Sequence, residues 1–204
     1  MDTEQSTRPP VGAVVLAAGG SSRMGEPKQL LTITGQPMVR RVTETVCAAG
    51  LENVVVVVGA HAHRVEEALR GLPVRVVLNR RWAEGMSTSL GIGLKALGSD
   101  VQAALVVLAD QPGLTVELLR SLAAHYQTTG APIVAPFYRG RRGNPVLFDR
   151  TLFAELQAVE GDQGGRALLT RYRSSVQEVA VDDAAVLTDV DTRQDYRALD
   201  TERS

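Results

Sequence analysis

Leu16-Ala17-Ala18-Gly19-Gly20-Ser21-Ser22-Arg23-Met24-Gly25-Glu26-Pro27-Lys28-Gln29-Leu30-Leu31 decides how this chain is read. The stretch follows an apolar β-type run, Val11 to Ala17, and precedes a helical pattern that starts near Pro37. A glycine-rich turn at the end of a first strand lets backbone N–H groups approach a polyphosphate, because glycine lacks a Cβ and accepts unusual φ/ψ. Arg23 and Lys28 set two cations against the same anion. The same residues would also make a strand-to-helix loop with solubilising charges, but glycines, Arg, Lys and Pro together favour phosphate.

Two other phosphate loops do not fit. A Walker A loop needs Gly-x-x-x-x-Gly-Lys-Ser/Thr, which no segment supplies. The dinucleotide fingerprint needs glycines at relative positions one, three and six and an acid some way on. Here Ser21 stands where the second glycine belongs, and the second strand runs into Gly59-Ala60-His61. A standard NAD site is disfavoured.

At 204 residues the chain can fill one domain and does not require two. Hydrophobic residues make up 44% and aromatics only 4%, which points to a Val, Leu and Ala core of buried parallel strands under helices. A formal charge of −1 gives no global case for nucleic acid, so phosphate binding has to be local. The single cysteine, Cys47, sits among apolar neighbours in an expected helix and suits packing in a reducing cytoplasm. Residues 1–10 lack the apolar core of a signal peptide, and no apolar run is long enough for a membrane. The expectation is a cytoplasmic protein with one domain over residues 11–199 and flexible tails at 1–10 and 200–204.

Apolar strands alternate with helix-period segments, which predicts an α/β fold with helices on both faces of a mostly parallel sheet. Pro37 to Ala49 reads as a helix closed by Gly50, and Asn53 to Val58 as a valine-rich strand. His63 to Leu69 is a helix, Val74 to Leu78 a strand, and Met86 to Leu97 a helix weakened by Gly91 and Gly93. Ala103 to Ala109 is a strand ending at Asp110-Gln111-Pro112. A helix from Val116 to Tyr126 leads to the strand Pro132 to Phe137. Tyr138 to Asn144 is then a turn between β-type runs, so an antiparallel strand, Pro145 to Phe148, is expected. A helix over Arg150 to Val159 and a loop over Gly161 to Gly165 follow. Val176 to Val181 and Val186 to Val190 are read as closing strands, and Thr192 to Leu199 as the last helix.

Asp110 stands at the carboxyl end of a buried strand, where open α/β sheets place ligands. Its carboxylate suits a hard divalent cation shared with substrate phosphates, or alternatively a helix cap or turn. Asp189 and Asp191 would share one face if their segment is a strand; Thr192 and Asp191 also suit the cap of the last helix. Asn79, Gly85, Ser87 and Ser89 surround an expected helix start that offers backbone N–H and hydroxyl partners, and Trp82 suits either stacking or packing. Arg139, Arg141 and Arg142 suit a phosphate or plain solvent equally. His61, His63 and His125 lack zinc-site spacing.

The Leu16 to Lys28 stretch resembles the L-A-[AG]-G-x-S-x-R-M-G-x-x-K signature of the nucleotidyltransferases that attach CMP or GMP to molybdopterin. Asp110-Gln111-Pro112, Asn79 to Leu90, Gly143-Asn144-Pro145, Gly161 to Arg166 and Leu187 to Thr192 are similar to further segments of that family, covering Val11 to about Leu199. The resemblance implies a Rossmann-like three-layer α/β/α domain with a mostly parallel mixed sheet and one antiparallel strand. It implies Arg23, Lys28 and Asp110 as catalytic residues and Asp110 with Asp189 as Mg²⁺ ligands, Asp191 being more a helix cap. It implies a nucleotide site at Leu16, Ala17, Ala18, Gly19, Gly20, Ser21, Asn79, Gly85, Ser87 and Ser89, and an acceptor site at Arg142, Gly143, Asn144 and Pro145. The implied substrates are CTP or GTP with molybdopterin, and the implied recipient is a molybdenum hydroxylase or its chaperone.

Ala17-Ala18-Gly19 matches the cytidylyl-type members, whereas guanylyl-type members read Ala-Gly-Gly there, so CTP is the expected donor. The methylerythritol cytidylyltransferases share Arg-Met-Gly and Pro-Lys-Gln but space them further apart. A rival of another class is an NAD(P)H-dependent oxidoreductase of the nicotine blue type on the same fold. Hydride transfer has no need of the lysine and carboxylate set, which weighs against it. A non-catalytic nucleotide-binding chaperone is a third reading, made less attractive by intact Lys28 and Asp110.

Overall fold

The computed structural model describes residues 9–21 and 25–201. In chain order the elements are β1 (Val11–Ala17), β2 (Thr32–Ile33), β3 (Gln36–Pro37), α1 (Met38–Ala48), β4 (Val54–Val58), α2 (Ala62–Ala68), β5 (Arg75–Leu78) and α3 (Met86–Ala96). They continue with β6 (Ala103–Leu108), α4 (Val116–Thr129), β7 (Ile133–Tyr138), β8 (Arg141–Arg142), β9 (Val146–Asp149), α5 (Phe153–Ala158), α6 (Arg166–Arg171), β10 (Val176–Ala180) and α7 (Arg193–Thr201). The main sheet runs β10-β7-β9-β6-β1-β4-β5, with β8 hanging on β7. Pairings of β1 with β4 and β6, of β4 with β5 and of β7 with β10 are parallel. β9 alone runs against both of its neighbours in that row. This is the mixed Rossmann-like sheet that the sequence led one to expect.

Three layers follow from the alternation of side chains along a strand. On β1, Ala13, Val15 and Ala17 join Val42 and Val46 of α1 and Leu119 of α4 in one core. Val14 joins Leu90 and Leu94 of α3 and Leu156 of α5 in the other. Both faces of the centre are therefore dry, which is why β4 is five valines in a row and not an alternating strand. α3 lies so close to the sheet that a Cβ on Gly93 would overlap Val14 Cγ1 and come within 3.0 Å of Val57 Cγ2. Gly93→Ala is expected to cost roughly 1–3 kcal/mol of stability despite the better helix propensity of alanine, because a packed core resists added volume. Urea unfolding checks this; an unchanged midpoint would contradict it.

Three segments depart from the sequence reading. Val186 to Val190 is not a strand: a 3-10 turn occupies Ala184–Leu187 and the chain is irregular beyond it. Asp183 Oδ1 accepts from Ala185 N at 2.8 Å, which starts the turn, and the segment's backbone bonds then go to loops. Asn144 N donates to Val186 O and Val190 N donates to Asp110 O, both at 2.9 Å. The second departure is α6, a helix where no element was expected. The small β2–β3 hairpin was also unread; Thr34 and Gly35, at φ 49° and 84°, form the two-residue turn with both residues left-handed.

The sheet fixes where chemistry can occur. β1 and β6 are in parallel register with Leu16 opposite Leu108, and Ala109 N donates to Leu16 O at 3.2 Å. The glycine loop after β1 and Asp110 after β6 therefore leave the same sheet edge side by side, where open α/β sheets bind ligands.

Candidate active site

The glycine loop is held open by a glutamine. Gln29 is buried, and its Nε2 donates to Gly19 O at 2.6 Å and, at 3.5 Å, to Ala17 O. Its Oε1 accepts from Ser21 Oγ at 3.1 Å, and Ser21 Oγ in turn accepts from Lys28 N at 2.9 Å. A trans peptide holds N–H opposite C=O, so pinning the Gly19 carbonyl turns the Gly20 N–H away from Gln29. Ser21, at φ 52°, is thus a loop brace and lines neither cleft described below. Gln29→Leu is expected to raise KM for the nucleotide about tenfold, the effect of leaving one buried carbonyl unpaired at roughly 1.4 kcal/mol. Steady-state kinetics that show no change in that KM would contradict it.

Lys28 reaches across the chain to the acids. Its Nζ donates to Asp110 Oδ2 at 2.5 Å and to Asp191 Oδ1 at 2.9 Å, and both Lys28 and Asp110 side chains are less than one-fifth exposed. Burial alone would pull the Lys28 ammonium down, but the two carboxylates hold it above its ordinary value. Asp189 lies beside them and accepts from Gln111 Nε2 at 2.6 Å. Burial, then the neighbouring Asp110 charge, pushes the Asp189 carboxyl up. Asp191 was expected mainly to cap the last helix, and the structure corrects this. Thr192 and Asp195 form a reciprocal capping box, with Asp195 Oδ2 accepting from Thr192 N at 2.7 Å and Thr192 Oγ1 accepting from Asp195 N at 3.2 Å. Nor does Asp110 cap α4, whose cap is Thr115, accepting from Leu118 N.

Two clefts meet at this lysine and aspartate. The first, about 390 Å³, is lined by Leu16, Ala18, Gly19, Gly20, Gly85 and Ser89 among others. The second, about 490 Å³, is lined by Arg142, Asn144, Asp189 and Asp191 among others. Lys28, Asp110, Met86 and Asp162 belong to both. Trp82 lines the first cleft, and a Cβ on Gly20 would lie 3.0 Å from its ring, so a larger residue at Gly20 would have to push the indole aside. At 38% exposure the Trp82 ring is packed on one side and open on the other.

Several site candidates lie elsewhere. Ala17 is buried in the core on the α1 side of the sheet. Asn79 is fully buried, donating to Thr88 Oγ1 and Ser89 Oγ at 2.9 Å each while its Oδ1 accepts from Arg81 N. It braces the start of α3 and does not line the first cleft. Ser87 turns to the far side of α3, its buried Oγ without a partner. The N-terminus of α3 is already capped, because Asp162 Oδ1 accepts from Met86 N at 3.2 Å. Gly85 does line the first cleft and, at φ 116°, packs against the Gly161 backbone so closely that no Cβ fits. Gly143 and Pro145 stand behind the second cleft, Gly143 pressed on Val186 O. Arg23 lies outside the described residues.

The donor set suits a divalent cation. One ammonium faces three carboxylates, so a triphosphate entering here needs added positive charge. Asp110 Oδ1 is a buried acceptor with no partner. Among the described residues no three His, Cys, Asp or Glu side chains are arranged to cage a metal alone. A Mg²⁺-type site needs only one or two carboxylates, with phosphates and water completing it, and Asp110 and Asp189 can supply them.

Residues 13–178 match the MobA-like NTP transferase domain. The nicotine blue oxidoreductase of Paenarthrobacter nicotinovorans is 36% identical over 94% of this chain and 97% of its own. The crystal structure of Rv0371c from Mycobacterium tuberculosis H37Rv superposes with a TM-score of 0.86 at 32% identity, covering 96% of this chain and all of that one. A manganese complex of that protein superposes at 0.81, with 30% identity over 93% of this chain and 97% of its own. A nucleotidyl transferase from Methanothermobacter thermautotrophicus, Mth528, superposes at 0.82 with 28% identity over 95% and 97%. No helix among the described residues is long and apolar enough to cross a membrane.

Proposed function

We propose that this chain, which belongs to the MobA-like NTP transferase family and is a nucleotidyltransferase, moves CMP from CTP onto the phosphate of molybdopterin with Mg²⁺ as its metal. The observation that carries this is the Lys28–Asp110 pair at the boundary of two clefts, one edged by the glycine loop and the other by Arg142 and Asn144. A donor nucleotide in the first cleft and an acceptor in the second would place the α-phosphorus beside Lys28. An acceptor phosphate oxygen attacks in line, a P–O–P bond forms, and the bond to pyrophosphate breaks; the attacking oxygen is already ionised, so no general base is required. Lys28 donates to the transferring phosphoryl group, and Gly20 N–H is available to the triphosphate. Mg²⁺ on Asp110 and Asp189 would neutralise charge on the phosphates.

Ala18 carries the choice of base. It is 5% exposed, lines the first cleft, and leaves so little room behind it that a Cβ on Gly59 would fall 2.8 Å from its own. Its methyl group therefore cannot retreat from a ligand, and a pyrimidine fits better than a two-ring base. Ala18→Gly is expected to raise use of GTP about tenfold without reversing preference, since one methyl is worth roughly 1–3 kcal/mol. CTP and GTP in competition at equal concentration test this, and a wild-type preference for GTP overturns it.

A second reading rests on the nicotine blue oxidoreductase relative. The first cleft would then hold a reduced dinucleotide. Against it stand three carboxylates around one lysine, which hydride transfer does not need and which repel a dinucleotide's phosphates when no metal is bound.

A further inference from the structure

Beyond the reacting phosphate, the second cleft carries cations that the transfer itself does not use. Arg142, on β8, and Arg166, the first residue of α6, line that cleft together with Lys28 and Asp110. Both also line an adjoining hollow of about 550 Å³, to which Arg173 contributes. The two guanidiniums thus stand at the passage from the reaction centre into a chamber lined by three arginines and one acid, Glu178.

We propose that Arg142 and Arg166, backed by Arg173, form a subsite for a second anionic group of the acceptor, one presenting two or more acceptor atoms. This rests on the nucleotidyl-transfer reading only for the identity of the acceptor. None of the three arginines has a carboxylate partner among the described residues. Among the described residues the Arg142 side chain makes one hydrogen bond, from Nη1 to its neighbour Gly143 O at 3.2 Å. The acids of the cleft are already engaged: Asp110 and Asp191 with Lys28, Asp189 with Gln111, and Asp162 with Met86 N. Burial, and then the charge of Arg166, holds the half-buried Arg142 guanidinium below its ordinary range, a repulsion that a bound anion relieves. Forked guanidinium donors suit anions with several acceptor atoms.

The side of the reaction is also fixed. Gly19 and Gly20 line only the first cleft, whereas Arg142 and Arg166 line only the second and its extension. In-line displacement puts nucleophile and leaving group on opposite sides of phosphorus. With the triphosphate on the glycine loop, the arginines face the acceptor and not the departing pyrophosphate. The acceptor therefore carries negative charge at both ends, one end reacting and the other anchoring.

Calorimetric titration with inorganic phosphate tests the subsite without any substrate. Wild-type protein is expected to bind phosphate at a site that Arg166→Gln weakens at least tenfold, that Arg166→Lys partly restores, and that Lys28→Ala retains. In steady state with molybdopterin, Arg166→Gln should raise the acceptor KM at least tenfold and leave kcat and the CTP KM within twofold. Phosphate affinity indifferent to Arg166→Gln, or lost in Lys28→Ala instead, overturns the proposal, as does a rise confined to the CTP KM. If phosphate binding follows Arg166 while wild-type protein transfers no CMP to molybdopterin, the subsite stands and the chosen acceptor falls.

Discussion

Asp110→Asn is expected to lower turnover by about two orders of magnitude or more, on the scale of losing one preorganised electrostatic contact, while the protein stays folded. The fold should survive because the Asp110 side chain supports no helix or strand. Its structural bond is made by the backbone carbonyl, which accepts from Val190 N, and α4 keeps its own cap at Thr115. What the amide removes is the negative charge beside Lys28, and with its one remaining oxygen kept toward the ammonium an NH2 group takes the place of the buried, partnerless oxygen that a cation would use. Removing the metal with excess EDTA should reproduce the loss in wild-type protein and add nothing in the variant. Undiminished pyrophosphate release by Asp110→Asn, or by wild type in EDTA, would contradict this assignment.

Lys28→Ala is expected to be at least as damaging. The phosphoryl group in flight loses its donor, and Asp110 and Asp191 are left facing it with no ammonium between them. Two effects then act in one direction: a lost stabilising cation and a gained repulsion, together more than about 10²–10³ in rate. The loss should appear in kcat as well as in nucleotide binding, since the charge that Lys28 meets develops in the transition state. A hydride-transfer enzyme would lose mainly cofactor affinity. Pre-steady-state measurement of nucleotide incorporation separates the two, and a variant with weakened binding but normal chemistry would refute the role given to Lys28.

Much of this site lies in short range along the chain, and that part was legible. Val11 to Ala17 and the valines of β4 announce strands buried on both faces, and the glycines after Ala17 announce a turn where backbone meets ligand. What the sequence hid is set by distance. Lys28 meets Asp110 at a separation of 82 residues and Asp191 at 163, so no local pattern could show that Asp191 pairs with lysine while Thr192 takes the cap. Val186 to Val190 looked like a strand because three of its five side chains, Val186, Leu187 and Val190, are apolar. Its backbone is claimed by Asn144 and Asp110 at loop ends, and burial of Val186 and Val190 explains the same hydrophobicity without a ladder. The family resemblance implied Asn79 and Ser87 at the nucleotide, yet the turn of α3 sends Ser87 to the far side and the core takes Asn79. Gln29 was missed although it adjoins Lys28; a glutamine between a lysine and two leucines was its only signal.

In the function proposed above, the glycine loop, the lysine with its carboxylates and the two clefts would serve one purpose, the movement of a nucleotidyl group between two bound substrates. Incubating the purified protein with Mg²⁺, molybdopterin and CTP labelled at the α-phosphorus tests that most directly. Label should pass to molybdopterin with one pyrophosphate released per transfer. NAD(P)H oxidation with a quinone acceptor, together with no label transfer and no pyrophosphate from either CTP or GTP, would contradict it.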